Sequence, residues 1–408
     1  MEKAGESRAV RTTDENGTSR DMIDRLVRWL TDDSNPLTGV WGVTAIAAAA
    51  YSLLLFYVRG LLGFKQLTGD TLWYWNDSLS WWQPFNTFHV PLYPWAIAVA
   101  RGLTGGVLPP IWVMHLVTAV ATWLSVNLVY RITAISGLSR PTSAATTLFF
   151  YFWPVIGLAF AVHPRADAFA IAVLLAALLA LMRDRSALGG VLCGAALITH
   201  KALWPFVLAI WVAWWMGLSI RRSWRTAIGI AAAAAPLTAL WIAGAQFHGS
   251  YGWLLGTNIE WEISTESGFH LFHGVTYTLQ SALAHGTINT NLLLKWLTVT
   301  ATILSSATLA VLAFWRKGVW WRYSLALCLP VVALGAILNP WEIFATVRFG
   351  RFLAPPLIWQ LSSSAYVASW PQNRKVVVVL ICLTLSLISQ FVMAEISVEK
   401  MSYPIPQP

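Results

Sequence analysis

Eleven apolar stretches, each about long enough to cross a bilayer, leave this chain one class of fold. It is all-α: a polytopic bundle of about eleven transmembrane helices. In hydrocarbon no water satisfies backbone N–H and C=O groups, so a crossing segment must bond to itself as a helix. The stretches run roughly over 38–58, 111–130, 142–162, 166–182, 187–200, 203–219, 226–247, 291–315, 323–338, 352–369 and 376–394. Charged residues are only 11% of the 408, where soluble chains carry about a quarter. Cys193, Cys328 and Cys382 all lie inside apolar runs, which argues against a disulfide framework. The 25 tryptophans suit anchoring at the headgroup level.

The charge distribution gives the orientation. Residues 1–37 form a polar tail, within which Met22–Leu30 reads as a short interfacial helix. Pro91–Pro109 is apolar but broken by Pro94, Arg101, Gly102, Gly105 and Gly106, so it either crosses or lies in the interface. If it does not cross, one face holds six Lys and Arg of the tail. That face also holds Arg131, Arg140, Arg183, Arg185, Arg221, Arg222, Arg225, Arg316, Lys317, Arg322, Arg374 and Lys375, making 18 of the 27 basic residues. Crossing would turn the compact basic loops outward, against the positive-inside rule. The expected topology is therefore N-terminus in the cytoplasm and C-terminus outside, in the plasma (inner) membrane. A bundle over 38–394 has outer loops at 59–110 and 248–290, the first forming juxtamembrane helices, and a short outer tail covers 395–408. The net charge of +9 belongs to these scattered loops, which excludes nucleic acid as the explanation.

This topology gathers most chemistry-bearing residues on the outer face. Asp70 and Asp77, in GDTLWYWNDS, stand two helical turns apart, so both carboxylates can share a face. Beside Trp73 and Trp75 such an acid can serve as a general base or bind a metal; two solvated loop acids would show the same spacing. His89-Val-Pro-Leu-Tyr93-Pro94 forces an extended entry into a helix, with His89 either an anion or metal ligand or a structural interfacial residue. His163-Pro-Arg165-Ala-Asp167 opens the span 166–182, where Asp167 is either a capping acid or a functional one. His200-Lys201 sits between two spans, and Lys201 either snorkels or holds a phosphate. Gly190 and Gly194 make a small-xxx-small pair suited to helix packing. Loop 248–290 carries Glu260, Glu262, Glu266, His270, His273 and His285 without a third metal ligand at a diagnostic spacing. Glu342, Arg348 and Arg351 close the series; two arginines three apart suit a phosphate, and pairing with Glu342 is the competing account.

Taken in order, four elements resemble the GT-C superfamily of membrane glycosyltransferases. They are the first-loop acid Asp70, the H-x-P-L-Y-P entry from His89 to Pro94, the P-x-x-D from Pro164 to Asp167, and the late R-F-x-x-P from Arg351 to Pro355. The resemblance is to the bacterial branch that includes protein O-mannosyltransferases and the lipid A aminoarabinose transferase. It implies a helical bundle with outer juxtamembrane helices, a polyprenyl-phosphate-sugar donor and Asp70 as the catalytic acid residue. Val90 replaces the first proline of the usual H-P-P-L-Y-P, Thr71 follows Asp70 where relatives pair two acids, and the second span carries His115. Asp77 thus stays a rival to Asp70, and a divalent metal stays open as cofactor.

The expectation is an inverting glycosyltransferase. Asp70, Asp77 and Asp167 are its candidate catalytic residues, and His89, Tyr93, His163, Arg165, Lys201, Glu342, Arg348 and Arg351 its candidate substrate contacts. The donor is a polyprenyl-phosphate sugar and the acceptor a lipid, glycan or protein. The rival readings are a polyprenyl-lipid flippase or transporter and an oligosaccharide ligase. Transporters place polar groups at mid-membrane in broken helices of repeated halves, and no repeat is visible in this chain.

Overall fold

The computed structural model describes residues 34–61, 70–80, 91–135, 139–152, 166–200, 203–215 and 220–247, with a few isolated positions besides. These residues are helices and the turns between them. In chain order they are α1 (Val40–Phe56), α2 (Asp70–Leu79), α3 (Leu92–Leu103), α4 (Pro110–Ile135), α5 (Arg140–Phe152), α6 (Ala166–Met182), α7 (Ser186–Leu197), α8 (Trp204–Trp215) and α9 (Ile220–Phe247). A π-helical turn, Tyr57–Leu61, prolongs α1. The expected interfacial helix at 22–30 and the spans beyond 290 lie outside the described residues.

With its π turn, α1 forms a 22-residue apolar segment, and α4 has 26 residues. At 1.5 Å per residue these reach about 33 and 39 Å, enough for a hydrocarbon core about 30 Å thick. The 12-residue α3 reaches only about 18 Å. It ends at Gly105 and Gly106, whose φ of 61° and 72° lie in the left-handed region that side chains with a Cβ avoid. Val99, Leu103 and Val107 are exposed along this segment.

α4 is the central post, packed against α1, α3, α5 and α6. Its relation to α1 is antiparallel: Tyr51 of α1 meets His115 near the start of α4, while Tyr130 Oη near its end donates to the Thr38 carbonyl at 3.0 Å. α6 is buried almost all round, from Ala166 to Leu181. Several hydroxyls inside this apolar core bond to carbonyls of their own helix. Thr122 Oγ1 donates to the Thr118 carbonyl at 2.7 Å and Ser125 Oγ to that of Ala121 at 2.8 Å. In a bilayer, helices gain little from leaving lipid, so close packing holds them together. The α7–α9 contact shows the consequence. A Cβ added at Gly190 would lie 2.8 Å from the Thr226 carbonyl oxygen, and one at Gly194 2.8 Å from Ala233 Cβ. The glycine pair is a packing seam, as its spacing suggests.

The bundle has two distinct ends. One gathers the start of α1, the end of α4 and the start of α5, where Gly39 lies against Arg140. The other gathers the end of α1, the starts of α3, α4 and α6, and the end of α7.

Candidate functional site at one end of the bundle

Of the H-x-P-L-Y-P entry, Pro91–Pro94 are described, and they form the cap and first turn of α3 where an extended entry was expected. Pro91 has φ −75° and caps the helix, and Pro94 falls in the opening turn, where a missing N–H costs no helical bond. Leu92 N–H donates to the Ile198 carbonyl just past α7, at 3.3 Å. Tyr93 is fully buried, and its Oη donates to the Pro164 carbonyl just before α6, at 3.0 Å. One dipeptide therefore ties together three places far apart in sequence: the start of α3, the start of α6 and the end of α7. The Tyr93 ring meets Tyr74 of α2 edge-on, centroids 5.0 Å apart at 87°, and Phe169 of α6 at 6.2 Å. Edge-to-face contact sets the positive rim of one ring against the negative face of the other.

Asp167, the second residue of α6, is only 4% exposed. The helix N-terminus favours an anion there. It also acts electrostatically on the Tyr93 phenol. Asp167 thus sits buried in the first turn of α6, beside the Tyr93 phenol.

Asp70 is the first residue of α2 and Asp77 lies on the same helix, half-buried. Thr71, Tyr74 and Ser78 form the buried face of α2. By helical register, positions 70 and 77 border that face on the side of Tyr74. Tyr74 thereby brings the α2 acids and the α3–α6 junction to the same end of the bundle.

A third group was not anticipated from sequence. Arg59, in the π turn after α1, is 4% exposed. Its Nε donates to His115 Nε2 at 3.1 Å and its Nη2 lies 3.0 Å from the same nitrogen. His115 Nδ1 is 3.0 Å from Tyr51 Oη. Val113 and Met114, beside His115 in sequence, pack in one cluster with Tyr74, Tyr93, Ile97 and Ala166. The available signal was His115 itself: an ionisable residue inside an apolar span is a site candidate on cost alone.

The remaining candidates, His89, His163, Arg165, Lys201, Glu342, Arg348 and Arg351, lie outside the described residues, as does loop 248–290 with its histidines. Among the described residues no three His, Cys, Asp or Glu side chains cluster as a metal site.

Among the described residues the architecture is helical, with two helices long and apolar enough to cross a membrane. Among solved structures the chain is similar to ArnT from Cupriavidus metallidurans, crystallised bound to undecaprenyl phosphate. The identity is 15% and the TM-score 0.52, over 83% of this chain and 63% of that one. The chain therefore spans less than two thirds of that protein's length, and the likeness is one of fold. No family model and no curated protein sequence matches the chain.

Proposed function

We propose that the chain is an integral-membrane glycosyltransferase that moves a sugar from a polyprenyl-phosphate donor to an acceptor hydroxyl at the outer membrane face. The observation that carries this reading is the convergence at one bundle end of the helix opening with Asp70, the Tyr93–Pro164 junction and buried Asp167. The fold likeness to a protein crystallised with undecaprenyl phosphate supports it.

In the proposed reaction the acceptor oxygen attacks the anomeric carbon while the bond from that carbon to the phosphate oxygen breaks. Asp70 takes the proton of the acceptor hydroxyl, and the polyprenyl phosphate leaves with the electron pair. Inversion follows from attack opposite the leaving group. A phosphate leaving group needs charge stabilisation rather than a strong acid, which Lys201, Arg348 and Arg351 supply in this reading. Tyr93 and Asp167 brace the floor on which α2 and α3 stand.

The test is donor turnover by the purified chain in lipid nanodiscs, read as release of polyprenyl phosphate. Asp70→Asn keeps the shape and removes the basicity, so a fall of at least about a hundred-fold is expected, with Asp77→Asn milder. Wild-type turnover by Asp70→Asn ends that assignment. Movement of intact donor across the bilayer without cleavage would favour the flippase reading.

A further inference from the structure

Three helix ends meet at the end of the bundle opposite Tyr93. Gly190 of α7 packs on Thr226 and Gly229 of α9, and Gly194 packs on Ile230 and Ala233, so the two helices run in the same direction and open side by side. Gly189, on another side of α7, packs on Leu181 at the close of α6. The residues at these three ends are basic. Arg183 and Arg185 flank Asp184 between α6 and α7, and Arg221, Arg222 and Arg225 lie in the first two turns of α9. Five arginines thus stand with one aspartate. Asp184 has a φ of 57°, and the Arg185 N–H donates to the Ala180 carbonyl at 2.9 Å, which closes α6 and fixes the backbone on both sides of that residue. Arg183, Arg185 and Arg225 are exposed.

Positive charge in a loop can serve orientation alone. Here it also borders an apolar surface. At about 100° per residue, Arg225, Ile228 and Ala232 share one stripe of α9, next to the seam formed by Gly229 and Ala233. On α7 the same register puts Leu188 and Val191 on the matching side of the seam, away from Gly189 and Cys193, which are buried toward α6. Leu188, Val191 and Ile228 are 47%, 46% and 65% exposed. One face of the α7–α9 pair is therefore apolar over these residues and basic at the turn where both helices open. A molecule with a phosphate at one end and alkyl chains at the other matches both halves of that face. An acidic protein segment matches only the arginines.

We propose that this face of the α7–α9 pair docks an anionic phospholipid. Arg225, with Arg183 and Arg185 beside it, holds the phosphodiester headgroup, and the acyl chains lie over Leu188, Val191 and Ile228. Guanidinium groups suit phosphate oxygens, and basic clusters between membrane helices are suited to anionic headgroups. The inference needs only that these helices lie in a bilayer. It goes beyond the glycosyltransferase reading, whose site is at the other end of the bundle.

The experiment incubates the full chain, purified in mild detergent, with an equimolar mixture of phosphatidylglycerol and phosphatidylcholine. Native mass spectrometry counts the lipid retained, and melting temperature is recorded for every variant. The wild type should retain phosphatidylglycerol over phosphatidylcholine by at least about five-fold, the scale of one arginine beside an anionic surface. Arg225→Gln should bring that preference toward parity, and Arg225→Lys should keep most of it. Arg131→Gln removes the same charge at the same end of the bundle, on α4, and should keep the preference in full. Val191→Ser with Ile228→Ser should lower retention of both lipids while leaving their ratio unaltered. A wild type that retains the two lipids equally overturns the inference, as does full preference in Arg225→Gln. If Arg131→Gln loses as much as Arg225→Gln, the attraction belongs to the whole basic end and the site is overturned. If retention is unchanged in the double serine variant, the placement of the chains is overturned. Should Arg225→Gln lower the melting temperature, Arg185→Gln is read in its place with the same outcomes. None of these outcomes bears on donor turnover.

Discussion

Truncating Tyr93 by one atom and then by a whole ring separates what anchors α3 from what fills the space beneath it. Tyr93→Phe leaves the contacts with Tyr74 and Phe169 and removes only the bond from Oη to the Pro164 carbonyl, 3.0 Å long. Hydrogen bonds between membrane helices contribute about 0.6 kcal/mol on average and at most about 1.7. The carbonyl is left buried, so the upper part of that range, about 1–1.7 kcal/mol, is the expected loss. Tyr93→Ala removes a fully buried ring as well and should cost about 3–5 kcal/mol. A thiol-reactive fluorogenic dye reads the unfolding. Cys193 on α7 is fully buried, and α7 is tied to α3 through the bond from Leu92 N–H to the Ile198 carbonyl. With Cys328 and Cys382 replaced by Ser, dye uptake reports Cys193 alone. The same variants enter the turnover assay. Tyr93→Phe should lower turnover more than its small stability loss explains, because the α3 entry loses its fixed seat against α6. A Phe variant as unstable as the Ala variant would refute the division between bond and ring. A Phe variant with unaltered stability and turnover would show that the Pro164 bond holds nothing.

Two further outcomes are expected. Gly190→Val should force α7 away from α9, since even its Cβ would meet the Thr226 carbonyl at 2.8 Å; overpacking of this kind costs about 1–3 kcal/mol, and Gly102→Val, with open space around it, is the control in the same melting assay. Single cysteines at 131–135 and 183–185 should label from the cytoplasmic side and those at 104–107 and 255–285 from outside; external labelling at 131–135 would invert the proposed orientation.

How much was legible in the sequence varies with the physics of each feature. The helical membrane class was fully legible, because hydrocarbon permits few backbone solutions and the apolar runs announce them. The Gly190–Gly194 seam was legible because close approach needs small residues at a four-residue spacing, whatever the partner. The convergence of Pro91–Tyr93 with Pro164 and Ile198 was legible only in part. Charge asymmetry put the segments on one face, but the tyrosine hydroxyl and a proline carbonyl that join them carry no sequence signal. Arg59 was invisible for a related reason. An arginine closing an apolar span reads as an interfacial anchor, and only the inward turn onto His115 distinguishes it. His115 stood in plain view, yet one histidine in a span does not say which of its nitrogens is used or by whom.

At 12 residues α3 is too short to cross a hydrocarbon core about 30 Å thick. Its Tyr93 is bonded to the Pro164 carbonyl, while Val99 and Leu103 are exposed. Under the proposed function, a lipid carrier at this end would find exposed apolar surface on α3 for its chain. This predicts a graded effect at Leu103, which is 84% exposed. Leu103→Lys removes apolar surface from the lipid side while touching no residue of the polar floor. It should weaken binding of undecaprenol and undecaprenyl phosphate by the same factor, leaving their ratio unchanged. A Leu103 variant that altered that ratio would mean that this exposed face of α3 does not serve the lipid chain alone.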